Sequence, residues 1–147
     1  MDDRQLAGIC GLYCGCCIIY RAYHDDDTEL TKTIAAGLGI ETGKVRCDGC
    51  RSENNNCWTG ECEFKSCSAK KGVESCAFCD EFPCKTLKKF NKNKSPHHHT
   101  SIENLKELKE KGMDKWLADQ ERKWLCPSCG ITHTFYDTEC RYCGHNF

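Results

Sequence analysis

The sequence lacks the hydrophobic features of membrane and secreted proteins. It contains no run of 18 or more apolar residues, so we expect no membrane-spanning helix. The opening residues MDDRQLAGIC have no basic region, no apolar run of signal-peptide length and no small-residue cleavage pattern. We therefore expect a cytoplasmic protein, in a reducing compartment where structural disulfides rarely persist.

The sequence also lacks the motifs of the common enzyme sites. It has no His-Glu-x-x-His, no glycine-rich phosphate-binding loop and no Ser, His and Asp order typical of a catalytic triad. Its Cys-x-x-Cys pairs lack the β-α-β surroundings of a thioredoxin-like redox site. These absences favour a non-enzymatic role, and we assign no catalytic residue and no residue that binds an organic cofactor.

Excess positive charge is missing as well. The formal net charge is −1 with histidine neutral. If all sixteen cysteines bound four divalent ions as thiolates, the loaded protein would carry a net charge of about −9. Nucleic-acid-binding proteins usually carry a basic surface. We therefore expect another protein as the partner, not nucleic acid.

Cysteine, in contrast, is abundant, with 16 among 147 residues. Without the cysteines, conventional hydrophobic residues make up about 28% of the chain, which is little for a domain of this size. Small cores usually need disulfides or metals as staples. A structural zinc ion contributes roughly 10–16 kcal/mol of apparent binding energy to folding. Because disulfides are not expected here, we predict a protein that folds around its metals.

Two Cys-x-x-Cys pairs in the last part of the sequence predict a zinc site. They are ten residues apart and can bring four thiolates to tetrahedral geometry. Gly130 and Gly144 follow the pairs and allow the backbone to turn tightly. Residues 131–136 alternate as a strand does, so the segment resembles a zinc ribbon, with iron in a rubredoxin-like role as the alternative. The predicted ligands are Cys126, Cys129, Cys140 and Cys143.

Near the N-terminus, the stretch ICGLYCGCCIIY holds four cysteines in eight residues. Cys10, Cys14 and Cys17 are offset by four and three residues, which places them on one face if the stretch is helical. One metal site could then use all three. The same spacing occurs in radical S-adenosylmethionine enzymes, but this chain is too short for their usual barrel.

Further cysteine-rich words follow, CDGCR and CEFKSCSAKKGVESCAFCDEFPC, and then the cysteine-free SIENLKELKEKGMDKWL. Together with CGLYCGCC, this succession resembles a prokaryotic cysteine-rich family catalogued as domain of unknown function 3795. The resemblance covers nearly the whole chain and implies a prokaryotic, cytoplasmic protein, but no activity. The family-type cysteines, which we predict to bind metal, are Cys10, Cys14, Cys17, Cys47, Cys50, Cys57, Cys62, Cys67, Cys76, Cys79 and Cys84.

Two departures from the family pattern affect these metal sites. Ile18 stands where the family typically has proline, and Cys16 stands where it usually has another residue. Eleven cysteines do not divide into four-ligand sites. Cys16 or His24 would complete the third site, or one site would keep an open position. Thiolates suit both zinc and iron–sulfur clusters, so the sequence leaves the N-terminal cofactor open between these two.

Composition divides the chain into three parts. Residues 1–95 are predicted to form a cysteine-rich metal-binding module, residues 96–124 a helical hairpin packed on it, and residues 125–147 the zinc ribbon. The predicted fold class is therefore a small, metal-stabilised, irregular and mainly α module with a C-terminal β zinc ribbon.

Local patterns predict several helices in the first part. DDDTELTKTIAAGLGI should form one, capped by Asp27 or Thr28 and ended by Gly39. Residues 14–23 are expected to form an earlier helix. Pro83 should open a short helix from a first-turn position.

The same kind of signal predicts the helical hairpin. Ser101 is the expected N-cap of its first helix, and Gly112 is the expected break between the two helices. Ile102, Leu105 and Leu108 recur at helical spacing and should form the buried face.

Two functions are compatible with these patterns. The first is a multi-site zinc protein that acts as a structural, adaptor or regulatory module through protein contacts, and it should unfold with a chelator. The alternative is an iron–sulfur redox or electron-transfer protein, which should be brown and oxygen-sensitive. An enzyme with an open metal position is a third and less favoured interpretation.

Overall fold

Helices and short helical turns dominate the described residues, which are 3–54, 56, 58 and 60–147 of this computed structural model. The α-helices are α1 (Ile18–His24), α2 (Thr28–Leu38), α3 (Glu63–Lys71), α4 (Lys85–Asn91), α5 (Ser101–Lys111) and α6 (Met113–Lys123). The 3-10 turns are Asp3–Leu6, Cys14–Cys16, Thr42–Lys44, Cys76–Phe78 and Pro96–Thr100. None of these helices has both the length and the apolar character needed to cross a bilayer. The prediction of an irregular, mainly helical module is confirmed.

Helix α2 forms where its local signals predict it. The Asp27 side chain accepts a hydrogen bond of 2.9 Å from the backbone N–H of Leu30, which satisfies one of the free donors of the first turn. Gly39 ends the helix in the left-handed conformation, with a φ of 66°. Both ends of α2 are therefore set by residues next to it in sequence.

Helices α5 and α6 follow each other with only Gly112 between them, as predicted. Gly112 has a φ of 85°, a value that favours glycine. The predicted N-cap is wrong by one residue, because Thr100 occupies the cap position and Ser101 is already helical. The Ser101 hydroxyl donates instead to the carbonyl oxygen of Cys10 at 2.5 Å, which ties α5 to the N-terminal cysteine stretch.

Two clusters of buried side chains form the core. The larger cluster joins the start of the chain to α3, α4, α5 and α6, and it includes the fully buried Leu105, Leu108 and Trp116. It contains residues from both sides of position 95, and the division of the chain at 95 and 124 stays a prediction. The smaller cluster packs α1 against α2 and consists of Ile19, Ala22, Ile34, Ala35, Val45 and Cys47.

The helix expected over residues 14–23 is interrupted. Cys14–Cys16 forms a 3-10 turn, Cys17 is extended with φ −69° and ψ 128°, and α1 begins only at Ile18. Cys10 lies in a turn before this segment. The expectation that Cys10, Cys14 and Cys17 share one helical face is therefore wrong, because the extended residue breaks the helical periodicity.

Helix α4 is present, but Pro83 does not lie in its first turn. Cys84 is the N-cap and Lys85 is the first helical residue. Proline disfavours helical backbone in the residue before it, so Pro83 keeps Phe82 out of the helix.

The last part of the chain has little β structure. Residues 125–147 are all described, and their β-pairing consists of two isolated bridges, Leu125 with Thr132 and Glu139 with Asn146. Each bridge encloses one Cys-x-x-Cys pair. The structure thus does not show the predicted C-terminal β ribbon as a set of strands.

Candidate metal centre

Four cysteine sulfurs converge in the last part of the chain. The Cys126 and Cys143 sulfurs are 3.6 Å apart, and so are the Cys129 and Cys140 sulfurs. All four lie within 4.8 Å of one another. This set, which we call the C-terminal cluster, can bind a metal ion, because four thiolates at such distances can share one tetrahedral centre.

The backbone around the C-terminal cluster consists of two equivalent tight turns. The N–H of Gly130 donates to the carbonyl oxygen of Cys126 at 2.8 Å, and the N–H of Gly144 donates to that of Cys140 at 2.9 Å. Both glycines have a φ of 74°, which other residues rarely adopt. The chain reverses its direction directly after each cysteine pair, and glycine is the residue that adopts the required positive φ most easily.

The charges of these thiols depend strongly on their neighbours. Backbone N–H groups of Cys143 and Tyr142 lower the pKa of Cys140 to about 7. A backbone hydrogen bond from Ile131 lowers the pKa of Cys129, but burial and hydrogen bonds with the other thiols outweigh it and raise the value to about 12. Four thiols in contact cannot all ionise without a compensating cation. A metal cation bound by the four sulfurs would supply that charge.

Two contacts fix the C-terminal cluster to the rest of the molecule. The Arg141 guanidinium forms ion pairs with Asp137, at 3.3 Å, and with Asp27 at the start of α2. The N–H of Phe135 donates to the carbonyl oxygen of Cys16 at 3.0 Å. Sequence reasoning missed the Asp27 pair. Asp137 and Arg141 carry a local i, i+4 signal, whereas no local pattern relates Asp27 to a residue 114 positions away.

Several of the described N-terminal cysteines lie near enough to influence one another's charge. Burial raises the pKa of the Cys10 thiol to about 12, and the charges of Cys50, Cys62 and Cys76 also raise it. Predicted ligand Cys57 lies outside the described residues. Among the predicted ligands that the structure describes, neighbours of this kind connect ten, which we call the N-terminal thiol network: Cys10, Cys14, Cys17, Cys47, Cys50, Cys62, Cys67, Cys76, Cys79 and Cys84.

One end of the N-terminal thiol network opens into a cavity. This cavity of about 220 Å³ is lined by Cys67, Cys76, Cys79 and Cys84, together with apolar side chains of α3 and α4. Burial raises the pKa of the Cys76 thiol to about 11, and the charges of Cys84, Cys67, Cys79 and Cys62 also raise it. The four thiols therefore line part of a cavity to which charged side chains, Glu63, Lys71 and Glu81, also contribute.

The two residues considered as additional ligands, Cys16 and His24, form hydrogen bonds with other groups. The buried Cys16 thiol donates to the carbonyl oxygen of Tyr13 at 3.3 Å. The Nε2 atom of His24 lies 3.1 Å from the carbonyl oxygen of Cys47 and 3.1 Å from a carboxylate oxygen of Asp48. Because both partners are acceptors, Nε2 carries the proton, and Nδ1 is the ring nitrogen left with a free lone pair.

Comparison with known proteins identifies a family but no activity. Residues 6–89 match the family model described as "Protein of unknown function (DUF3795)", which is more than half of the chain. No curated protein and no solved structure matches the chain. The matched range includes the whole N-terminal thiol network, whereas the C-terminal cluster lies outside it.

Proposed function

The chain belongs to the DUF3795 family, and from that premise we propose that it is a multi-site zinc protein acting as an adaptor through contacts with another protein. The C-terminal cluster carries this proposal. Its sulfur–sulfur distances of 3.6 Å suit a single ion held by four thiolates. A closed site of this composition is typical of structural zinc and leaves no open position for chemistry.

Exposed apolar side chains around the C-terminal cluster support a role in protein contacts. Ile131, Tyr136, Tyr142 and Phe147 are 40%, 44%, 54% and 46% exposed. Aromatic residues are enriched at protein interfaces, where their large faces become buried. A zinc ion with four thiolates carries a charge of −2, so we expect the partner to present an apolar and basic surface.

Metal analysis of the full chain tests the zinc part of this proposal. Protein expressed and purified anaerobically, with both iron and zinc supplied, should contain about three to four zinc ions per chain and have no visible absorption. The double variant Cys126→Ser/Cys129→Ser should lose one equivalent of zinc. A wild-type protein without zinc would refute the proposal.

Variants of the exposed side chains test the protein contact separately. We expect Ile131→Ser/Tyr142→Ser to keep its zinc but to lose the partner recovered by cross-linking and mass spectrometry. The matched control is Leu38→Ser, which removes a 50% exposed apolar side chain from α2. Equal recovery of the partner by both variants would contradict an interface at the C-terminal cluster.

The cavity lined by four cysteines favours a second candidate function, iron–sulfur redox or electron transfer. An iron–sulfur cluster is bulkier than a zinc ion and is held by cysteine thiolates. If this candidate is right, anaerobic protein contains iron and labile sulfide and shows a visible charge-transfer band. The variant Cys79→Ser should then lose that band, whereas Cys126→Ser should keep it. Colourless protein with its full zinc content would exclude an iron–sulfur cluster.

A further inference from the structure

Two Cys-x-x-Cys pairs that are far apart in sequence meet inside the N-terminal thiol network. Cys14 begins the 3-10 turn before α1 and Cys17 follows it, and the N–H of Cys17 donates to the carbonyl oxygen of Cys14 at 3.0 Å. Cys47 and Cys50 belong to a loop after α2. Each pair alone supplies half of a four-thiolate site.

Packing and hydrogen bonds bring the two pairs together. The partly buried Cys17 packs against the hydrophobic cluster between α1 and α2 that contains Cys47. His24, the last residue of α1, donates from Nε2 to the Cys47 carbonyl oxygen and to the Asp48 carboxylate. Tyr20 stacks on the His24 ring with centroids 4.0 Å apart, which fixes the orientation of the imidazole. Helix α1 therefore positions the second pair beside the first.

The second pair has a backbone suited to a bound thiolate. The N–H of Gly49 donates to the Cys47 sulfur at 3.3 Å, a bond that favours the ionised form of the thiol. Gly49 has a φ of 91°, and a Cβ atom there would lie 2.7 Å from the carbonyl oxygen of Gln5. Only glycine fits between the two cysteines for these two reasons.

The thiols of the two pairs also interact. The Cys14 thiol is hydrogen-bonded to the Cys50 thiol, and Cys17 and Cys47 lie near enough for their charges to act on it. These neighbours are the other three cysteines of the two pairs. A cation among them would stabilise all four as thiolates.

We propose that Cys14, Cys17, Cys47 and Cys50 bind one zinc ion as a second four-thiolate site, built from two pairs about thirty residues apart. This inference rests on the proposed zinc function and specifies one of its sites. Among the described residues, no three of these sulfurs lie within 4.8 Å of one another. Rotation about the Cα–Cβ bonds therefore accompanies metal binding at this site.

Cys16 provides a matched control within the same turn. It lies between Cys14 and Cys17, but its side chain belongs to the larger core cluster and its thiol donates to Tyr13. Cys16→Ala removes a cysteine at the same place in the fold without removing a proposed ligand.

Zinc content of variants tests the proposal directly. Relative to wild type, Cys14→Ser/Cys47→Ser should lose one zinc equivalent, and Cys16→Ala should lose none. Cys47→His in an otherwise wild-type chain should keep this zinc equivalent, because imidazole is also a zinc ligand. Cys126→Ser/Cys129→Ser should lose a different equivalent, so combining both pairs of changes should remove two.

Alkylation of the wild-type protein supplies a test that does not depend on the folding of a variant. As a chelator removes zinc stepwise, mass spectrometry should find the four cysteines becoming reactive together, at a step separate from that of the C-terminal cluster. Reactivity of Cys14 and Cys47 at different steps would overturn the shared site, as would full zinc content in Cys14→Ser/Cys47→Ser. Wild-type protein with iron in place of zinc would instead overturn the proposed zinc function itself.

Discussion

Gly11 occupies a position that other residues cannot fill without strain. Its φ is 90°, and an added Cβ would lie 2.6 Å from both the Leu105 side chain and the Ser101 carbonyl oxygen. We expect Gly11→Ala to cost about 1–2 kcal/mol for the backbone conformation and about 1–3 kcal/mol more for overpacking against α5. Thermal or denaturant unfolding of the metal-loaded protein measures both.

Gly39→Ala is the control for this substitution. Gly39 also has a positive φ, of 66°, but an added Cβ there meets nothing within 4 Å. Gly39→Ala should therefore lower the free energy of unfolding by the cost of the backbone conformation alone. Equal destabilisation by the two substitutions would mean that α5 does not press on Gly11.

His98 makes stability depend on pH. Burial, and then the charges of His97 and His99, lower its pKa from 6.5 to about 4. Between these two values the unfolded chain binds more protons than the folded protein, so stability falls as the pH falls from about 6.5 towards 4. The Asn93 amide lies 2.6 Å from the Nδ1 atom of His98. This distance agrees with a neutral ring whose Nδ1 accepts a hydrogen bond from the amide N–H.

We therefore expect His98→Gln to reduce the loss of melting temperature between pH 7.5 and pH 5.5. The comparison is with wild type under the same zinc buffering, and with His145→Gln as a control that removes one imidazole elsewhere. An unchanged pH dependence in His98→Gln would show that His98 is not held neutral by the fold.

At the scale of elements, Asp27 connects helix α2 to the last part of the chain. One oxygen of its carboxylate caps the helix by accepting from Leu30, and the other pairs with Arg141. Asparagine is also a good N-cap but carries no charge. Asp27→Asn should therefore lose only the ion pair, whose side chains are 21% and 22% exposed, at a cost of about 1 kcal/mol.

Asp27→Ala should lose the cap as well, at a further cost of about 0.5–2 kcal/mol. We expect the free energy of unfolding to decrease in the order wild type, Asp27→Asn, Asp27→Ala. Arg141→Gln should cost more than Asp27→Asn, because it breaks the same pair and the Asp137 pair as well. If the two Asp27 variants are equally stable, the side chain does not cap α2.

Elements were predictable where their signals are local. The caps of α2 and the break at Gly112 depend on neighbouring residues, and so does the C-terminal cluster, whose two pairs are ten residues apart. The helix expected over residues 14–23 failed because Cys17 is extended, and no local pattern indicates this. The neighbours of Cys14 and Cys76 depend on loops with no periodicity, so the spacing of cysteines alone did not reveal which thiols meet.

At the scale of the whole molecule, thiols and core are interdependent. Several cysteines pack against the larger core cluster, among them Cys10, Cys50, Cys62, Cys76 and Cys84. If these thiols bind metal as we propose, its removal leaves them without the ion that holds them together, and the small core supplies little compensation. We expect a strong chelator under reducing conditions to abolish most of the helical circular dichroism signal.

The control for chelation is the same chelator saturated with zinc beforehand, which should leave the signal unchanged. Adding zinc back to the stripped, reduced protein should restore the helical signal. A stripped protein that keeps its far-ultraviolet spectrum and its cooperative melting would show that the core is stable without metal.

The position of the cysteines relative to the core also determines the order of events during synthesis. All members of the N-terminal thiol network precede residue 85, but the core that covers them is completed by α5 and α6, which end at Lys123. At about 5–20 residues per second, the ribosome needs roughly 2–8 s to supply this stretch. During that interval the thiols are not yet buried by α5 and α6. Until then the thiols are open to metal ions and to oxidants alike, so we expect zinc supply and oxygen exposure during synthesis to affect the yield of folded protein.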